Sequence, residues 1–187
     1  FIGLELQGID TYSSIYLNDS LIATTDNMFV GKTVDIKKYS KVGMNNLYVK
    51  LFSPINKGVI LHDSLGYDIS SFNANDLAEI GKVEGNKRVS VFTRKAPYHY
   101  GWDWGPRLVT SGIWQPINLK TWNYFNIQDL YIRQMSLSKT ANLVAEIELE
   151  SSLEIDEMIA EIYVNNKKIS TDFVSINKGA NKIEIPF

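Results

Sequence analysis

The stretch of this sequence that could most readily support chemistry runs from Arg94 to Arg107 and reads RKAPYHYGWDWGPR. Gly101 and Gly105-Pro106 bracket Trp102-Asp103-Trp104, and this pattern favours a bent loop over a continued strand. An indole can cover the apolar face of a pyranose ring while a carboxylate accepts hydrogen bonds from its hydroxyl groups. The same residues could form a packed corner, and on residue types alone this structural interpretation is favoured.

Other kinds of catalytic or metal site find little support in the sequence. The only histidines, His62 and His99, fall short of the three or four converging ligands that a zinc site needs, and His62-Asp63 is interpreted as a loop pair. There is no cysteine, no glycine-rich phosphate loop and no Gly-x-Ser-x-Gly motif. Glutamates such as Glu146, Glu148 and Glu150 alternate along a predicted strand, where they would solvate an outer face. We therefore expect neither a metal nor a cofactor.

Composition narrows the classes of partner. The 187 residues are 44% hydrophobic and 12% aromatic, which is enough to fill a core and suits β-structure. The formal net charge is −2, and no long basic tract occurs. Nucleic acid and acidic membrane surfaces are therefore excluded as expected partners, and no apolar run of membrane-spanning length is present.

The elements that must position the candidate loop are predicted to be strands, because apolar and polar residues alternate along most of the chain. The apolar members of the predicted strands are Ile15 and Leu17; Leu47, Val49 and Leu51; Val89 and Val91; Ile113, Ile117 and Leu119; Leu143, Ala145, Ile147 and Leu149; and Met158, Ala160, Ile162 and Val164.

Turn residues separate these runs. Asn18-Asp19-Ser20 and Gly43-Met44-Asn45-Asn46 indicate turns, as does Gly85-Asn86, and Asn165-Asn166 predicts a tight hairpin. Helix signals are sparse: residues 73–80 could form one short helix within a long crossing loop from about Ser53 to about Asn86.

The composition changes near Trp122-Asn123, which predicts two domains, 1–122 and 123–187. The second domain holds four or five predicted strands, fewer than the seven of a complete immunoglobulin-like sandwich. The chain begins without Met and stops inside an alternating pattern, so we expect it to be cut from a longer protein.

The central stretch, continued by LVTSGIW to Trp114, resembles the signature of β-mannosidases of glycoside hydrolase family 2. Residues 8–12, 15–18 and 26–29 resemble early strands of the same family's N-terminal domain, and the resemblance covers about residues 6–122. It implies an all-β fold, in which a jelly-roll, galactose-binding-domain-like β-sandwich is followed by a partial immunoglobulin-like β-sandwich.

The resemblance also implies roles for individual residues. In such enzymes a (β/α)8 barrel follows and carries two catalytic glutamates, and the Trp-Asp-Trp loop reaches into its active site. Asp103 would then contact the terminal mannose, Trp102 and Trp104 would shape the pocket wall, and His99 and Arg107 would support the loop.

The sequence departs from the family pattern in two places. Asn18-Asp19 stands where these domains often have Asn-Gly, and the Asn-Glu pair that contains the acid/base occurs nowhere in the chain. We therefore expect a non-catalytic front part of a retaining enzyme that hydrolyses terminal non-reducing β-D-mannose residues.

The expected partners are a β-mannoside oligosaccharide and the catalytic barrel of the same parent chain, with export to a periplasm or a lysosome-like compartment as the family expectation. Two alternatives stay open: an autonomous carbohydrate-binding module, and a purely structural buttress for the barrel.

Overall fold

The computed structural model describes residues 1–69, 88–101 and 105–187, which form two compact units, 1–121 and 122–187. The predicted all-β fold class is confirmed, since strands dominate both units. The predicted domain boundary after Trp122 lies one residue from the division between the units.

Within its described residues, the first unit contains eight antiparallel strands. Their bounds are β1 Ile2–Leu6, β2 Ile9–Asp10, β3 Tyr12–Leu17, β4 Ser20–Asp26, β5 Lys32–Asp35, β6 Leu47–Phe52, β7 Gly112–Ile113 and β8 Ile117–Thr121. They pair in the orders β5-β1-β8, β4-β3-β6 and β2-β7. The last part of the unit, β7 and β8, thus returns to pair with its first strands.

Alternation along β1 and β3 produces the core of this unit. Ile15 and Leu17 are buried, as predicted, and they pack with Leu4, Leu6 and Ile9. Burying each such side chain contributes roughly 1.5–3 kcal/mol. One apolar face of the β5-β1-β8 sheet and one apolar face of the β4-β3-β6 sheet therefore contribute to the same core.

The turn between β3 and β4 uses residues that tolerate the left-handed region. Asn18 and Asp19 have φ of 47° and 67°, as a two-residue hairpin turn requires. The Asn18 Nδ2 also donates to the Tyr39 carbonyl at 2.9 Å and to Asn45 Oδ1 at 2.8 Å. Asn18-Asp19 therefore performs the role of the Asn-Gly pair that it replaces.

The crossing loop predicted from about Ser53 to about Asn86 is wrong in its first part, where a helix, α1, spans Pro54–Leu65. Ser53 caps it, because its hydroxyl accepts from the Asn56 amide at 3.2 Å, and Gly66 ends it with φ of 78°. The helix predicted over residues 73–80 and the Gly85-Asn86 turn lie outside the described residues.

The strand predicted at Val89 and Val91 is also wrong. Residues Ser90–Phe92 form a 3₁₀ turn, in which Val91 is exposed, and Val89, the N-cap residue before the turn, is fully buried. Val89 packs beneath α1 at Gly58, so its burial comes from a helix contact and not from sheet alternation.

The second unit consists of five long strands, where the sequence predicted four or five. They are β9 Phe125–Leu137, β10 Ala141–Ser151, β11 Ile155–Val164, β12 Lys167–Ile176 and β13 Gly179–Pro186. They pair antiparallel in the orders β13-β10-β9 and β11-β12. The predicted hairpin is confirmed, since Asn165 and Asn166 have φ of 48° and 63°.

The core of the second unit is small. The apolar residues of this unit that are buried are Ala145, Leu149, Ile176 and Ile185. Strand β9 lies at the edge of its sheet, and exposed apolar residues such as Leu130, Tyr131 and Ile132 occur in succession along it. Within the described ranges, no helix is long and apolar enough to cross a membrane.

We predict that Gly58→Ala destabilises the protein although alanine is the better helix former. A Cβ at this position would lie 2.7 Å from Val89 Cβ and 3.2 Å from the Val89 carbonyl oxygen. Overpacking of this kind costs about 1–3 kcal/mol, which exceeds the roughly 1 kcal/mol gained in helix propensity. Chemical unfolding monitored by circular dichroism would measure the difference.

Gly112→Ala is the matched control, because its Cβ would meet nothing within 4 Å. Its unfolding free energy should stay the same or rise slightly. If Gly58→Ala were as stable as that control, the close packing of α1 on Val89 would be disproved.

Candidate functional site

The three central residues of the candidate loop, Trp102, Asp103 and Trp104, lie outside the described residues. The other two predicted site residues, His99 and Arg107, flank them and are described. The structure therefore describes the candidate site through the chain segments on either side of these three residues.

The chain that enters the loop is attached to the end of β4. The Met28 amide donates to the Arg94 carbonyl at 3.0 Å, and the Ala96 amide contacts Met28 Sδ at 3.1 Å. Arg94 also pairs with Asp26 at 3.2 Å, but both side chains are largely exposed. An exposed pair of this kind contributes little, so the backbone contacts are the main attachment on this side.

A buried ion pair attaches the same segment to β2. The ammonium of Lys95 contacts the Asp10 carboxylate, and the exposed fractions of these side chains are 0% and 6%. Lys95 Nζ also donates to the Thr110 carbonyl at 2.9 Å, and the Thr11 hydroxyl donates to the second oxygen of Asp10. Both charges are therefore paired and hydrogen-bonded, as buried charges must be.

A 3₁₀ turn, Pro97–Tyr100, follows this anchor and leads directly to the loop. Proline suits the first position because it has no amide hydrogen to satisfy, and Gly101 ends the turn with φ of 97°. The Tyr100 side chain is fully buried and packs against Val89. The turn is therefore held by its own core contact.

His99 connects the two sides of the loop. Its carbonyl accepts from the Leu108 amide at 3.0 Å, and its Nδ1 lies 3.3 Å from the Leu108 carbonyl and 3.4 Å from Thr110 Oγ1. A carbonyl can only accept, so Nδ1 carries a hydrogen and Nε2 is the acceptor of the neutral ring. The role of His99 as a support of the loop stays a prediction.

Arg107 lies at the end of the loop with its guanidinium nitrogens buried. None of the three has a hydrogen-bond partner within the ranges that the structure describes. Its Cζ lies 5.8 Å from the centroid of the Tyr100 ring, which is a cation–π contact. A buried guanidinium is normally paired with an anionic group, so Arg107 is suited to hold a carboxylate at this end of the loop.

A cavity of about 340 Å³, here named the side cavity, opens beside these segments. It is lined by Asp10, Met28, Phe29, Tyr98, His99, Thr110, Ser111, Gly112 and Trp114. Sequence reasoning missed Trp114 as a lining residue, although half of its surface is exposed. It also missed Asp10, because nothing in the local sequence indicates that its partner is Lys95, 85 positions away.

The interpretation of His62-Asp63 as a loop pair is wrong, because both residues lie in helix α1, where each ring nitrogen of His62 meets a carboxylate. Its Nε2 lies 2.6 Å from Asp68 Oδ1, and its Nδ1 lies 3.1 Å from Asp63 Oδ1. These carboxylates, Asp68 first, raise the pKa of His62 above its ordinary value. Among the described residues, no group of three or more His, Cys, Asp or Glu could hold a metal ion.

Comparison with known proteins adds three findings. Residues 2–115 match the family described as glycosyl hydrolase 2 galactose-binding domain-like. The chain is 30% identical over 190 residues to β-mannosidase B of Aspergillus niger, covering 98% of this chain and 21% of that protein. It is 24% identical to β-mannosidase B of Thermothelomyces thermophilus, covering 20% of that protein. The chain thus spans about a fifth of the length of the curated relatives that it matches.

Solved structures of glycoside hydrolases also resemble this chain. The β-D-mannosidase of Dictyoglomus thermophilum superimposes on the whole chain with a TM-score of 0.73 and 34% identity, and the match covers 22% of that chain. The exo-chitosanase of Amycolatopsis orientalis superimposes with a TM-score of 0.61 at 15% identity, which shows a shared fold alone.

We predict that Lys95→Met destabilises the protein by about 3–5 kcal/mol, because it leaves the Asp10 carboxylate buried without its counter-ion. Replacing Asp10 by Asn in the same chain should recover part of this loss, since a neutral amide is less costly to bury. Urea unfolding of both single variants and the double variant would measure the coupling.

The neighbouring Arg94→Ala is the control, since it breaks only the exposed pair with Asp26 and should cost less than about 1 kcal/mol. Equal losses for Lys95→Met and Arg94→Ala would contradict the anchoring role of the buried pair.

We also predict that the pKa of His62, measured by NMR titration, is raised above the ordinary value of a histidine and falls in Asp68→Asn, because Asp68 is the main cause of the shift. A raised folded-state pKa stabilises the protein fully below the unfolded value and loses that contribution as the pH rises through the folded value. His62→Gln would assign the resonance. A pKa unaffected by Asp68→Asn would contradict the contact.

Proposed function

Because this chain belongs to the glycosyl hydrolase 2 galactose-binding domain-like family, we propose that it is the non-catalytic N-terminal part of a retaining β-mannosidase. The parent enzyme would hydrolyse terminal, non-reducing β-D-mannose residues. The observation that carries this proposal is the match to the Dictyoglomus thermophilum β-D-mannosidase, which extends over the entire chain at 34% identity.

In this proposal, the catalytic residues lie outside this chain. A retaining glycosidase needs an acid/base and a nucleophile about 5–5.5 Å apart, and the acid must have a raised pKa. In the second unit, hydrogen bonds from Arg133 and Lys182 instead lower the pKa of Glu146, and Lys168 lowers that of Glu161. These glutamates are suited to surface ion pairs, so the catalytic pair would belong to a (β/α)8 barrel of the parent.

Asp103 would contribute the sugar contact of the first unit. In this proposal its carboxylate accepts hydrogen bonds from the hydroxyl groups of the terminal mannose, while Trp102 and Trp104 form part of the pocket wall. The fixed flanks of the loop support this role, because a sugar contact accelerates the reaction only if it is held in position beforehand. His99 and Arg107 are proposed as its supports.

Three attachments would hold the loop in place. The Lys95–Asp10 pair fixes the entering chain, the buried Tyr100 fixes the 3₁₀ turn, and the bonds between His99 and Leu108 connect the two sides. Each attachment lies in the chain segments that flank residues 102–104, so the loop would need little reorganisation when substrate binds. The β-mannoside substrate and the barrel of the same chain are the proposed partners.

The test is Asp103→Ala in the complete enzyme, assayed on an aryl β-mannoside. Loss of a hydrogen bond made in the transition state should lower kcat/KM by about 10- to 1000-fold. Asp129→Ala, an exposed strand residue of the second unit, is the control and should retain the full rate. A normal rate in Asp103→Ala would refute the sugar contact and favour a purely structural role for both units.

The chain of 187 residues alone should release no aryl group from the same substrate. Measurable hydrolysis that survives repeated purification would overturn the proposal that catalysis lies elsewhere in the parent.

A further inference from the structure

The side cavity has aromatic walls that remain open to solvent. Phe29, Tyr98 and Trp114 line it with exposed fractions of 60%, 66% and 49%. Large aromatic surfaces that converge on a concave site are typical of ligand sites, because their exposure alone is costly. They offer flat apolar faces of the kind that covers the C–H face of a sugar ring.

The orientation of the Trp114 ring is fixed by a hydrogen bond. Its Nε1 donates to the Met28 carbonyl at 3.0 Å, so the only polar atom of the indole is already satisfied. Gly8 packs against the same ring, since a Cβ there would lie 2.6 Å from Trp114 Nε1. The indole therefore presents carbon surface to the cavity in a preformed position.

The polar lining is equally preformed. His99 stacks on Tyr98 with the ring centroids 4.8 Å apart, and the bond of its Nδ1 to the Leu108 carbonyl leaves Nε2 as an acceptor. Thr110 adds a hydroxyl that can both donate and accept. Such groups match the alternating donors and acceptors of sugar hydroxyls.

The Asp10–Lys95 pair leaves the cavity without net charge. Asp10 contributes a carboxylate to the lining, but Lys95 neutralises it from behind. Each carboxylate oxygen keeps a further acceptor position after its bond to Lys95 or to Thr11. The site is therefore polar and without net charge, which favours a neutral, polyhydroxylated ligand over a phosphate or a carboxylate.

We infer that the side cavity is a binding site for one neutral hexopyranose unit, with Tyr98 and Trp114 against the ring and His99, Thr110 and Asp10 towards its hydroxyls. Its volume of about 340 Å³ lies at the lower end of the roughly 300–1,000 Å³ typical of small-molecule sites, which suits a single ring. The inference concerns residues other than Trp102, Asp103 and Trp104, and it does not rest on the proposed hydrolase function.

The experiment is an NMR titration of the 187-residue chain with methyl β-D-mannopyranoside and, separately, methyl β-D-glucopyranoside. We expect saturable shifts at Tyr98, Trp114 and their neighbours, with a Kd on the order of 1–10 mM, since one ring in an open cavity binds weakly. Tyr98→Ala should weaken binding about 3- to 10-fold. Thr110→Val tests the hydroxyl contribution and should also weaken binding.

Tyr48→Ala is the matched control, because Tyr48 is similarly exposed, at 61%, but does not line the cavity. Its binding should equal that of the unchanged protein. Binding that is equally strong in Tyr98→Ala, or the absence of saturable shifts with both sugars, would overturn the inference. Tighter binding of glucuronate than of the neutral sugars would overturn it as well. None of these readouts depends on catalysis, so they are distinguishable from a failure of the hydrolase proposal.

Discussion

The buried pair between Lys95 and Asp10 is the interaction on which the candidate site of the first unit depends. It joins β2 to a segment 85 positions further along the chain, and the Thr110 carbonyl accepts a second hydrogen bond from the same ammonium. Breaking one partner would leave an isolated charge in a nearly dry environment, whereas the intact pair satisfies both. The pair thus fixes the entry to the candidate loop and, at the same time, neutralises the carboxylate that lines the side cavity.

The two sides of the candidate loop are held by different kinds of contact. The entering side relies on charge and on backbone bonds to Met28, while the leaving side relies on His99 and on the stacking of Arg107 over Tyr100. Binding residues on loops are usually positioned by a rigid scaffold of this kind. Membership of the glycosyl hydrolase 2 galactose-binding domain-like family gives the arrangement its context, because the fold alone would be compatible with many functions.

Sequence patterns predicted the strands and tight turns well, because alternation and left-handed asparagines are local signals. The residues Ile15 and Leu17 and the Asn165-Asn166 hairpin illustrate this. The helix α1 was missed although Ser53, Pro54 and Gly66 mark its ends, since its interior lacks a clear apolar stripe. Val89 shows the opposite error: the alternation of Val89 and Val91 predicted a strand, but Val89 is buried by its contact with helix α1. For the site, the resemblance indicated the loop and its flanks, but Asp10 and Trp114 depend on contacts between distant segments that no local pattern encodes.

The shallow core of the second unit has a thermodynamic consequence. All 66 residues from Trp122 to Phe187 are described, and four apolar residues among them are buried. The heat capacity increment of unfolding grows with the apolar area newly hydrated, so this unit should fall below the roughly 12–15 cal/mol/K per residue of ordinary globular domains. Its stability would then vary with temperature along a flatter curve than that of the first unit, and its melting would be broad.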